Sequence, residues 1–391
     1  MNDQQLKQLV EAEKDWIIAM RRKLHRIPEG GFKEFKTQQA IMAALEEIGV
    51  PYTTERTWVI GLIEGAYPGE TVAIRADMDA LPLTEPEGCP FRSEHEGMMH
   101  ACGHDAHTAM ALGAAKVLNG LKSQLHGKVK FLFQPAEETD GGAEPMVQAG
   151  AMENPHVDRV YGLHVMPHLP VGKVETRTGT LNASTDEIQL TIRGKAGHGA
   201  YPEQGTDAIL CAAQVITALQ SIVSRNVSPL QSAVVTIGKI EGGTAQNIIC
   251  DEVRMQGTLR TANADLRRMM KERITQITQN VAAAMGCTAQ VDIVPGYAAL
   301  VNDAAEAERV RRIATRLFGP ENVVEKPAPS MGGEDFSFFS DCAPGEFFHV
   351  GCVDPAWMPA PPLHSRDFHL NEDCLTIGTL MHVALVLDGT K

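Results

Sequence analysis

The sequence is short of several features that would assign it to particular classes of protein. It has only 35 Lys and Arg residues against 49 Asp and Glu residues, giving a formal net charge of −14. A nucleic-acid-binding protein needs a basic surface to neutralise phosphates, so this balance argues against nucleic acid as a partner. The content of hydrophobic residues, 43%, and of charged residues, 21%, is ordinary for a soluble globular protein.

Long apolar segments are also missing. No run of about 18 apolar residues is evident, so we expect no membrane span and no membrane partner. The opening stretch, MNDQQLKQLVEAEKDW, is hydrophilic and lacks the apolar centre of a secretory signal peptide. These absences predict a cytoplasmic protein.

Cysteine is sparse and scattered. The chain has eight cysteines in 391 residues, with no CxxC pair and no spacing typical of a disulfide framework. In a chain of this size without an export signal we expect reduced thiols, most of them packed as small core residues. Cys102 is considered separately because of its neighbours.

The pattern of strands and helices predicts an α/β fold. At 391 residues the chain exceeds the usual size of a single core, so two domains are expected. Helical periodicity runs through residues 4–26, 37–48 and 105–122. Buried strands are predicted at residues 71–76, 128–133, 159–165 and 345–352. Strands that alternate with helices indicate a sheet covered on both faces.

The middle of the chain has a different pattern. Amphipathic helices at residues 206–224 and 264–286 lie among strands with alternating apolar positions. The order β-α-β-β-α-β is typical of a small ferredoxin-like α+β domain. We therefore predict an inserted domain at residues 184–298 and a larger domain formed by residues 1–183 and 299–391.

Polar residues that can bind metals or transfer protons recur where the predicted strands end. The stretch HACGHDAH, residues 100–107, holds three histidines, a cysteine and an aspartate. Because sites in open α/β sheets lie beyond the carboxyl ends of strands, we expect distant residues to meet in one crevice. The other candidates at strand ends are Asp77, Asp79, Glu137, Glu138, His164 and His364.

Each of these residues is weak evidence alone. A histidine in an apolar strand, such as His164, is more often a structural residue, and a Glu-Glu pair is usually a solvated surface. His100 and His107 are equally compatible with flanking a helix. Together, however, a thiolate, imidazoles and carboxylates suit two divalent first-row metal ions such as Zn²⁺ or Mn²⁺. Of two consecutive glutamates, one can bind metal while the other takes a proton from a metal-bound water.

The chain resembles a known family of enzymes along most of its length. The motifs RADMDALP, HACGHDAH, QPAEE, GLHV, GKAGHGAYPEQGTDAI, GGTAQNII, MGGEDFSFF and PLHS are similar, in order and spacing, to those of the M20 metallopeptidases. The similarity is greatest to the amidohydrolase branch, M20D, which includes hippurate hydrolases, N-acyl-amino-acid amidohydrolases and auxin-conjugate hydrolases. The resemblance implies a large zinc-peptidase-like catalytic domain with a mixed sheet and an inserted lid and dimerisation domain.

The resemblance also implies roles for individual residues. The metal ligands would be Cys102, His104, Glu138, His164 and His364, and they would hold two divalent ions, Zn²⁺, Mn²⁺, Co²⁺ or Ni²⁺. Glu137 would be the general base that activates water and later protonates the leaving nitrogen. Asp79 would orient this region. In MGGEDF, Glu334 and Asp335 are expected only to brace the site.

Residues of the inserted domain would complete the site. His198 would stabilise the oxyanion of the tetrahedral intermediate, reaching the site of a partner subunit. Asn247 and Arg260 would bind the carboxylate of the substrate. The implied partners are an N-acyl amino acid or short peptide and further copies of the chain, as a homodimer or homotetramer formed through the inserted domain. Departures from the family pattern, such as Cys250 in place of proline, touch no proposed ligand.

Other functions remain open at this stage. The leading hypothesis is a metal-dependent amidohydrolase that cleaves hippurate-like or N-acetyl amino acids. A dipeptidase or carboxypeptidase on the same fold is the first alternative. Nucleophilic catalysis by Cys102 with His104 as base is disfavoured, because their spacing makes an aligned attack difficult and leaves the glutamate pair without a role. A catalytically silent binding protein is also disfavoured, because all the implied ligands and the base are present.

Overall fold

The computed structural model of the protein describes residues 1–389. They divide into two compact units. The first unit contains Met1–Gly179, Val301–Pro327 and the chain from Asp335 onward. The second unit contains Thr180–Leu300 and the short segment Ala328–Glu334. The chain therefore enters the second unit twice, and the segment 328–334 was not part of the predicted insertion.

The helices of both units, in chain order, are α1 Asp3–Ala12, α2 Lys14–His25, α3 Phe35–Ile48, α4 His104–Gly120, α5 Ala143–Gln148, α6 Ala208–Arg225, α7 Ala264–Ala284, α8 Ala304–Phe318, α9 Ser337–Ser340 and α10 Asp373–Gly389. The periodicity at residues 4–26 predicts one helix, whereas the structure has two, α1 and α2. Glu13 separates them as the C-cap of the first and the N-cap of the second.

The strands, in chain order, are β1 Tyr52–Glu55, β2 Trp58–Glu64, β3 Tyr67–Asp77, β4 His126–Gln134, β5 Arg159–Pro170, β6 Val174–Thr176, β7 Gly179–Asn182, β8 Ser184–Arg193, β9 Gly197–His198, β10 Ala233–Gly242, β11 Ile248–Ile249, β12 Glu252–Thr261, β13 Thr288–Pro295, β14 Leu300–Asn302, β15 Val323–Glu325 and β16 Gly345–Val353. The strands predicted at 71–76, 128–133, 159–165 and 345–352 all lie within observed strands.

The first unit is built on a mixed eight-stranded sheet in the order β1-β2-β4-β3-β5-β16-β6-β15. Its centre is parallel, because β3 pairs in parallel with β4 and β5, and β5 pairs in parallel with β16. The edges include antiparallel pairs, such as β1 with β2 and β2 with β4. The carboxyl ends of the four central strands therefore open on the same side of the sheet. This arrangement confirms the predicted α/β fold with a mixed sheet.

Helix α4 runs through the interior of the first unit. Residues from His104 to Leu118 are nearly all buried, and the helix packs against α2, α10 and β3. Its small residues allow this, because a Cβ at Gly113 would lie 2.8 Å from the side chain of Ile17 on α2. A helix that is apolar on all sides belongs in a core. The polar residues of its first turn, including His104 and Asp105, are consequently buried with it.

The second unit has the ferredoxin-like order of elements. Its antiparallel sheet has the strand order β10-β12-β8-β13, and α6 and α7 pack against it. Side chains along β8 and β12 alternate between buried and more exposed positions, as expected for a sheet with one covered face. Its core is separate from that of the first unit and includes Ile188, Val215 and Met270.

One described helix, α6, is long and apolar enough by length and composition to cross a membrane. The sequence predicts no membrane span, and the length and composition of this one helix do not overturn that prediction. Only 33% of its 18 residues are buried, and its mean hydropathy is 1.4. The buried residues, such as Cys211, Val215 and Leu219, belong to the core of the second unit. A core helix of a soluble domain can have the same length and composition, so α6 is weak evidence for a membrane span.

Candidate metal centre

Donor side chains collect at the carboxyl edge of the first-unit sheet. Asp77 ends β3, and Gln134 ends β4 just before the glutamate pair. His164 lies within β5, and His104 begins α4. Because the central strands are parallel, these residues arrive at one edge although they are distant in sequence.

The turn that carries Cys102 and His104 depends on glycine. Gly103 has a φ of +88°, a left-handed conformation that side chains with a Cβ rarely adopt. A Cβ there would also lie 2.4 Å from Cγ2 of Val165, the residue after His164. The close approach of this turn to β5 brings Sγ of Cys102 to 3.4 Å from Nε2 of His164.

The five predicted ligands lie together. Nε2 of His364 is 3.0 Å from Oε1 of Glu138, and Nε2 of His104 is 3.8 Å from the same oxygen. Cys102, His104 and His164 offer donor atoms within 4.8 Å of one another. The same holds for Cys102, Glu138 and His364. Two such overlapping groups, which share Cys102, suit a pair of neighbouring divalent ions.

The side chain of Glu137 lies beside the predicted ligands. Its carboxylate, that of Glu138 and the ring of His104 also offer donor atoms within 4.8 Å of one another. Neighbouring side chains reach the same cleft because the loop after β4 turns sharply at Ala136, where φ is +56°. In this arrangement both carboxylates face the same cleft, so one could bind metal while the other accepts a proton.

The electrostatics of the cluster favour a cation. Burial and the charges of Glu138 and Glu137 raise the pKa of the Cys102 thiol well above its usual range. Burial lowers the pKa of His104, but the carboxylates of Asp77, Asp79 and Glu138 outweigh it and raise the value to about 10. His104 Nε2 is buried without a hydrogen-bond partner among the described residues. A divalent ion would satisfy that nitrogen and compensate the crowded negative charge, so the residues fit a metal.

Asp79 contacts two of the predicted ligands, His104 and Glu138. One of its oxygens lies 3.1 Å from Nδ1 of His104, and the other accepts a hydrogen bond of 3.0 Å from the backbone N–H of Glu138. The first contact leaves Nε2 of His104 to face the other donors. A carboxylate that orients a histidine in this way is common behind metal ligands.

Asp77, a candidate from its position at a strand end, forms a buried pair with His107 that the sequence did not predict. Nδ1 of His107 lies 2.6 Å from Asp77, and its Nε2 accepts a hydrogen bond of 2.9 Å from the backbone N–H of Val165. His107 thereby holds β5 beside His164. The interpretation that His107 merely flanks a helix was too weak. The signal available in the sequence was its position one turn after His104.

Two further buried carboxylates brace the loops of the site. Asp335 accepts hydrogen bonds from Arg75, Gln134 and the backbone N–H of Ala143. Glu34 accepts a hydrogen bond of 2.9 Å from the backbone N–H of Ala136. These contacts hold the loop after β4, which carries Glu137 and Glu138. Asp335 thus has the bracing contacts expected of it, whereas Glu34 was not anticipated from sequence.

The remaining predicted site residues belong to the second unit. His198 on β9 pairs with Ile248 on β11, and the backbone N–H of Gly199 donates to the carbonyl of Asn247 at 2.8 Å. His198 and Asn247 are therefore neighbours. Arg260 lies on β12, where it pairs with Thr185 of β8, and its guanidinium lies beside Gly333.

The fold and the donor set define a metal-dependent hydrolase: imidazole, thiol and carboxylate groups gather at the carboxyl edge of a mixed sheet, and a ferredoxin-like unit interrupts the chain. The chain belongs to peptidase family M20/M25/M40, whose model matches residues 73–388. This confirms the resemblance to the M20 enzymes.

Relatives within the family have different activities. The chain is 41% identical to an N-acetyldiaminopimelate deacetylase of Halalkalibacterium halodurans, over 92% of this chain and 95% of the relative. It is 37% identical to thermostable carboxypeptidase 1 of Saccharolobus solfataricus, over 98% of each chain. The crystal structure of the Bacillus subtilis YXEP protein, described as a dinuclear metal-binding peptidase from the M20 family, matches with a TM-score of 0.85 and 34% identity. That match covers 97% of this chain and 98% of the other.

Proposed function

We propose that the protein hydrolyses the amide bond of N-acyl amino acids with the help of two divalent metal ions. The observation that carries the proposal is the meeting of Cys102, His104, Glu138, His164 and His364, with Glu137 beside them. The similarity to an N-acetyldiaminopimelate deacetylase supports an acylated amino acid as the substrate class. The description of the YXEP structure supports a pair of ions.

The five ligands would hold Zn²⁺, Mn²⁺, Co²⁺ or Ni²⁺, which would polarise the scissile carbonyl and lower the pKa of a water. Glu137 would take a proton from the attacking water as the hydroxyl group adds to the carbonyl carbon, and would deliver that proton to the leaving nitrogen as the C–N bond breaks. Asp79 would hold the ring of His104 with Nε2 facing the other donors. The buried surroundings of Cys102 and His104 exclude bulk water and strengthen these interactions.

Residues of the second unit would bind and polarise the substrate. We assign His198 to stabilisation of the oxyanion and Asn247 and Arg260 to the substrate carboxylate. The pairing of His198 beside Asn247 in the second unit supports their joint role. Mixed dimers test this assignment: His198→Ala subunits combined with Glu137→Gln subunits should regain activity if His198 serves the partner's site. No recovery in verified mixed dimers would contradict it.

A homodimer or homotetramer formed through the second unit is part of this proposal. Its support is a set of exposed apolar residues on α6 and on the edge strand β10: Ile209, Leu210, Val234 and Ile240. Burying such side chains against a second copy would remove them from water.

A cytoplasmic location also stays a prediction.

A carboxypeptidase is the second candidate function, favoured by the 37% identity to the Saccharolobus enzyme. The two functions differ in the acyl side of the scissile bond: an acetyl or benzoyl group for the amidohydrolase, a peptide for the carboxypeptidase. Metal-stripped protein refilled with each ion separately and assayed on N-acetyl, N-benzoyl and dipeptide substrates distinguishes them. Higher kcat/KM on the acyl amino acids is expected; preference for peptides would favour the second candidate.

Glu137→Gln tests the proposed chemistry. This variant should retain its metal content and lose turnover by roughly 10²- to 10⁴-fold, the range for loss of a general base. Glu144→Gln, a nearby change on α5, is the control and should stay active. Loss of metal on Glu137→Gln would make the residue a ligand, and unchanged turnover would remove it from the mechanism.

A further inference from the structure

A second group of metal-binding side chains lies in the first unit and shares no residue with the candidate metal centre. His25 is the last residue of α2, and Glu85 and Cys89 belong to the segment between β3 and α4. Their donor atoms all lie within 4.8 Å of one another. Asp105 of α4 and Arg21 of α2 adjoin them. We propose that His25, Glu85 and Cys89 form a separate zinc-binding site, called the His25 site below.

The distances suit a small tetrahedral ion. Nε2 of His25 lies 3.1 Å from Oε1 of Glu85. Nitrogen and oxygen ligands of a tetrahedral zinc ion, with bonds of about 2.0–2.2 Å, are separated by roughly 3.4 Å. Sγ of Cys89 lies within 4.8 Å of the donor atoms of both His25 and Glu85, so the third donor is already close to the other two. One nitrogen, one oxygen and one sulfur ligand leave a fourth position for water.

The orientation of His25 is also that of a metal ligand. Its Nδ1 lies 2.7 Å from Oδ2 of Asp105, which directs Nε2 toward Glu85 and Cys89. A carboxylate that fixes one nitrogen of a histidine while the other binds zinc is the usual arrangement behind such ligands. Asp105 is buried and directly follows His104, so the His25 site and the catalytic cluster are braced by neighbouring residues of one helix turn.

The charges around His25 are compatible with a bound cation. Arg21 pairs with Asp105 at 2.8 Å, and Arg22 pairs with Glu372 at 2.6 Å. The charges within each of these ion pairs cancel, and the negative charge of the Glu85 carboxylate remains. If Cys89 binds as a thiolate, a divalent ion balances it together with Glu85. Without metal, protons take the place of the ion: burial lowers the pKa of His25, but Asp105 outweighs it and raises the value.

A thiolate and an imidazole together select a borderline-soft ion, which is why zinc is preferred here to magnesium or calcium. Cys89 is only partly buried, which gives the ion a path from solvent. Binding would tie the segment 78–103 to the end of α2. That segment leads directly into Cys102, so the His25 site would steady the approach to the catalytic cluster without contributing to it.

Zinc stoichiometry tests the proposal. Zn²⁺ is titrated into metal-free protein against a chromophoric chelator, and the equivalents bound per chain are compared between variants. Cys89→Ser and Glu85→Gln should each bind one equivalent fewer than the wild type, because each loses an anionic ligand. Glu87→Gln, an exposed change in the same segment, should match the wild type. Equal stoichiometry for all four proteins would overturn the proposal.

Thiol alkylation of the unaltered chain provides a test that needs no variant of the site. Zn²⁺ should slow modification of Cys89 by iodoacetamide by at least about tenfold, since a bound thiolate is not nucleophilic. The exposed Cys342 in the same sample is the control and should react at the same rate with and without zinc. Equal rates for Cys89 in both conditions would contradict the site.

A Cys102→Ala chain separates this proposal from the proposed function. It should lose ions from the catalytic cluster and still protect Cys89. Protection that disappears with Cys102 would mean that Cys89 responds only to the catalytic metals, and the separate His25 site would be rejected.

Discussion

One carboxylate, that of Asp79, lies 3.1 Å from Nδ1 of His104 while it accepts the backbone N–H of Glu138. It therefore fixes two of the proposed ligands at once. In Asp79→Asn the side-chain volume is kept, but the anionic partner of the His104 ring is lost. We expect metal affinity to fall by roughly 10- to 100-fold, as for other residues that orient ligands.

Metal titration followed by activity measures this effect. Excess metal should restore part of the activity of Asp79→Asn, because the ligands themselves are intact. Affinity equal to that of the wild type would show that Asp79 does not orient His104.

Gly103 should not tolerate a side chain. In Gly103→Ala the new Cβ would lie 2.4 Å from Val165 Cγ2, and the φ of +88° would be strained as well. We expect loss of metal binding, since Cys102 and His104 flank the displaced residue. Metal content by elemental analysis is the measurement.

Gly97→Ala is the matched control for Gly103→Ala. Gly97 has a φ of +74°, but a Cβ there would have no neighbour within 4 Å. It should cost about 1–2 kcal/mol for the left-handed conformation and leave metal binding intact. If both variants bind metal normally, the close approach of the 102–104 turn to β5 is not needed for the site.

The buried carboxyl of Glu34 should make stability depend on pH. Burial raises the pKa of this carboxyl to about 7, from an ordinary value of 4.5. The folded chain therefore holds a proton that the unfolded chain releases between these values. The Glu34 contribution to the free energy of unfolding is fully present below pH 4.5 and is lost as pH rises through about 7.

Glu34→Gln removes that titration. Relative to the wild type, the variant should gain up to about 3 kcal/mol between pH 5 and pH 8. Urea unfolding followed by tryptophan fluorescence reports on this unit, because Trp16, Trp58 and Trp357 all lie in it. Glu55→Gln, an exposed change, should follow the wild type. Parallel pH curves for Glu34→Gln and the wild type would contradict the assignment.

Asp335 balances the buried guanidinium of Arg75, which it contacts at 3.0 Å. In Asp335→Ala the Arg75 guanidinium keeps the carboxylate of Asp77 but loses that of Asp335. The side-chain amide of Gln134 also loses its two acceptor oxygens on Asp335. Removing one partner of a buried ion pair typically costs about 3–5 kcal/mol. The same fluorescence-detected unfolding should show a destabilisation near the lower end of this range. A loss no greater than that of the exposed control Asp341→Ala would show that Asp335 is not a brace.

Much of the first unit follows from local sequence signals. The strand that ends at Asp77 is marked by a change from apolar to polar residues, and the helix that begins at His104 is marked by the reverse change, from HACGHDAH to TAMALGAA. The parallel order of the central strands then predicts that Asp79, Glu138 and His164 meet. The roles of the individual ligands, by contrast, follow from the resemblance to the M20 enzymes and not from these local signals.

Contacts between distant residues with no local signature could not be predicted in this way. No pattern in the sequence singles out His25, yet it lies 2.7 Å from Asp105 across 80 positions of sequence. Glu34 and Ala136 are separated by 102 positions. The two passages of the chain through the second unit were missed for the same reason, since residues 328–334 have no periodicity that marks them. Such contacts form through tertiary packing. The residues around either partner contain no local pattern that predicts them.

Anomalous diffraction from crystals of the Zn²⁺- or Mn²⁺-loaded protein tests the central claim most directly. The account predicts two neighbouring peaks bounded by Cys102, His104, Glu138, His164 and His364, with Glu137 next to them but outside the coordination. Peaks away from these side chains, or the five side chains bound to no ion in metal-loaded crystals, would contradict it.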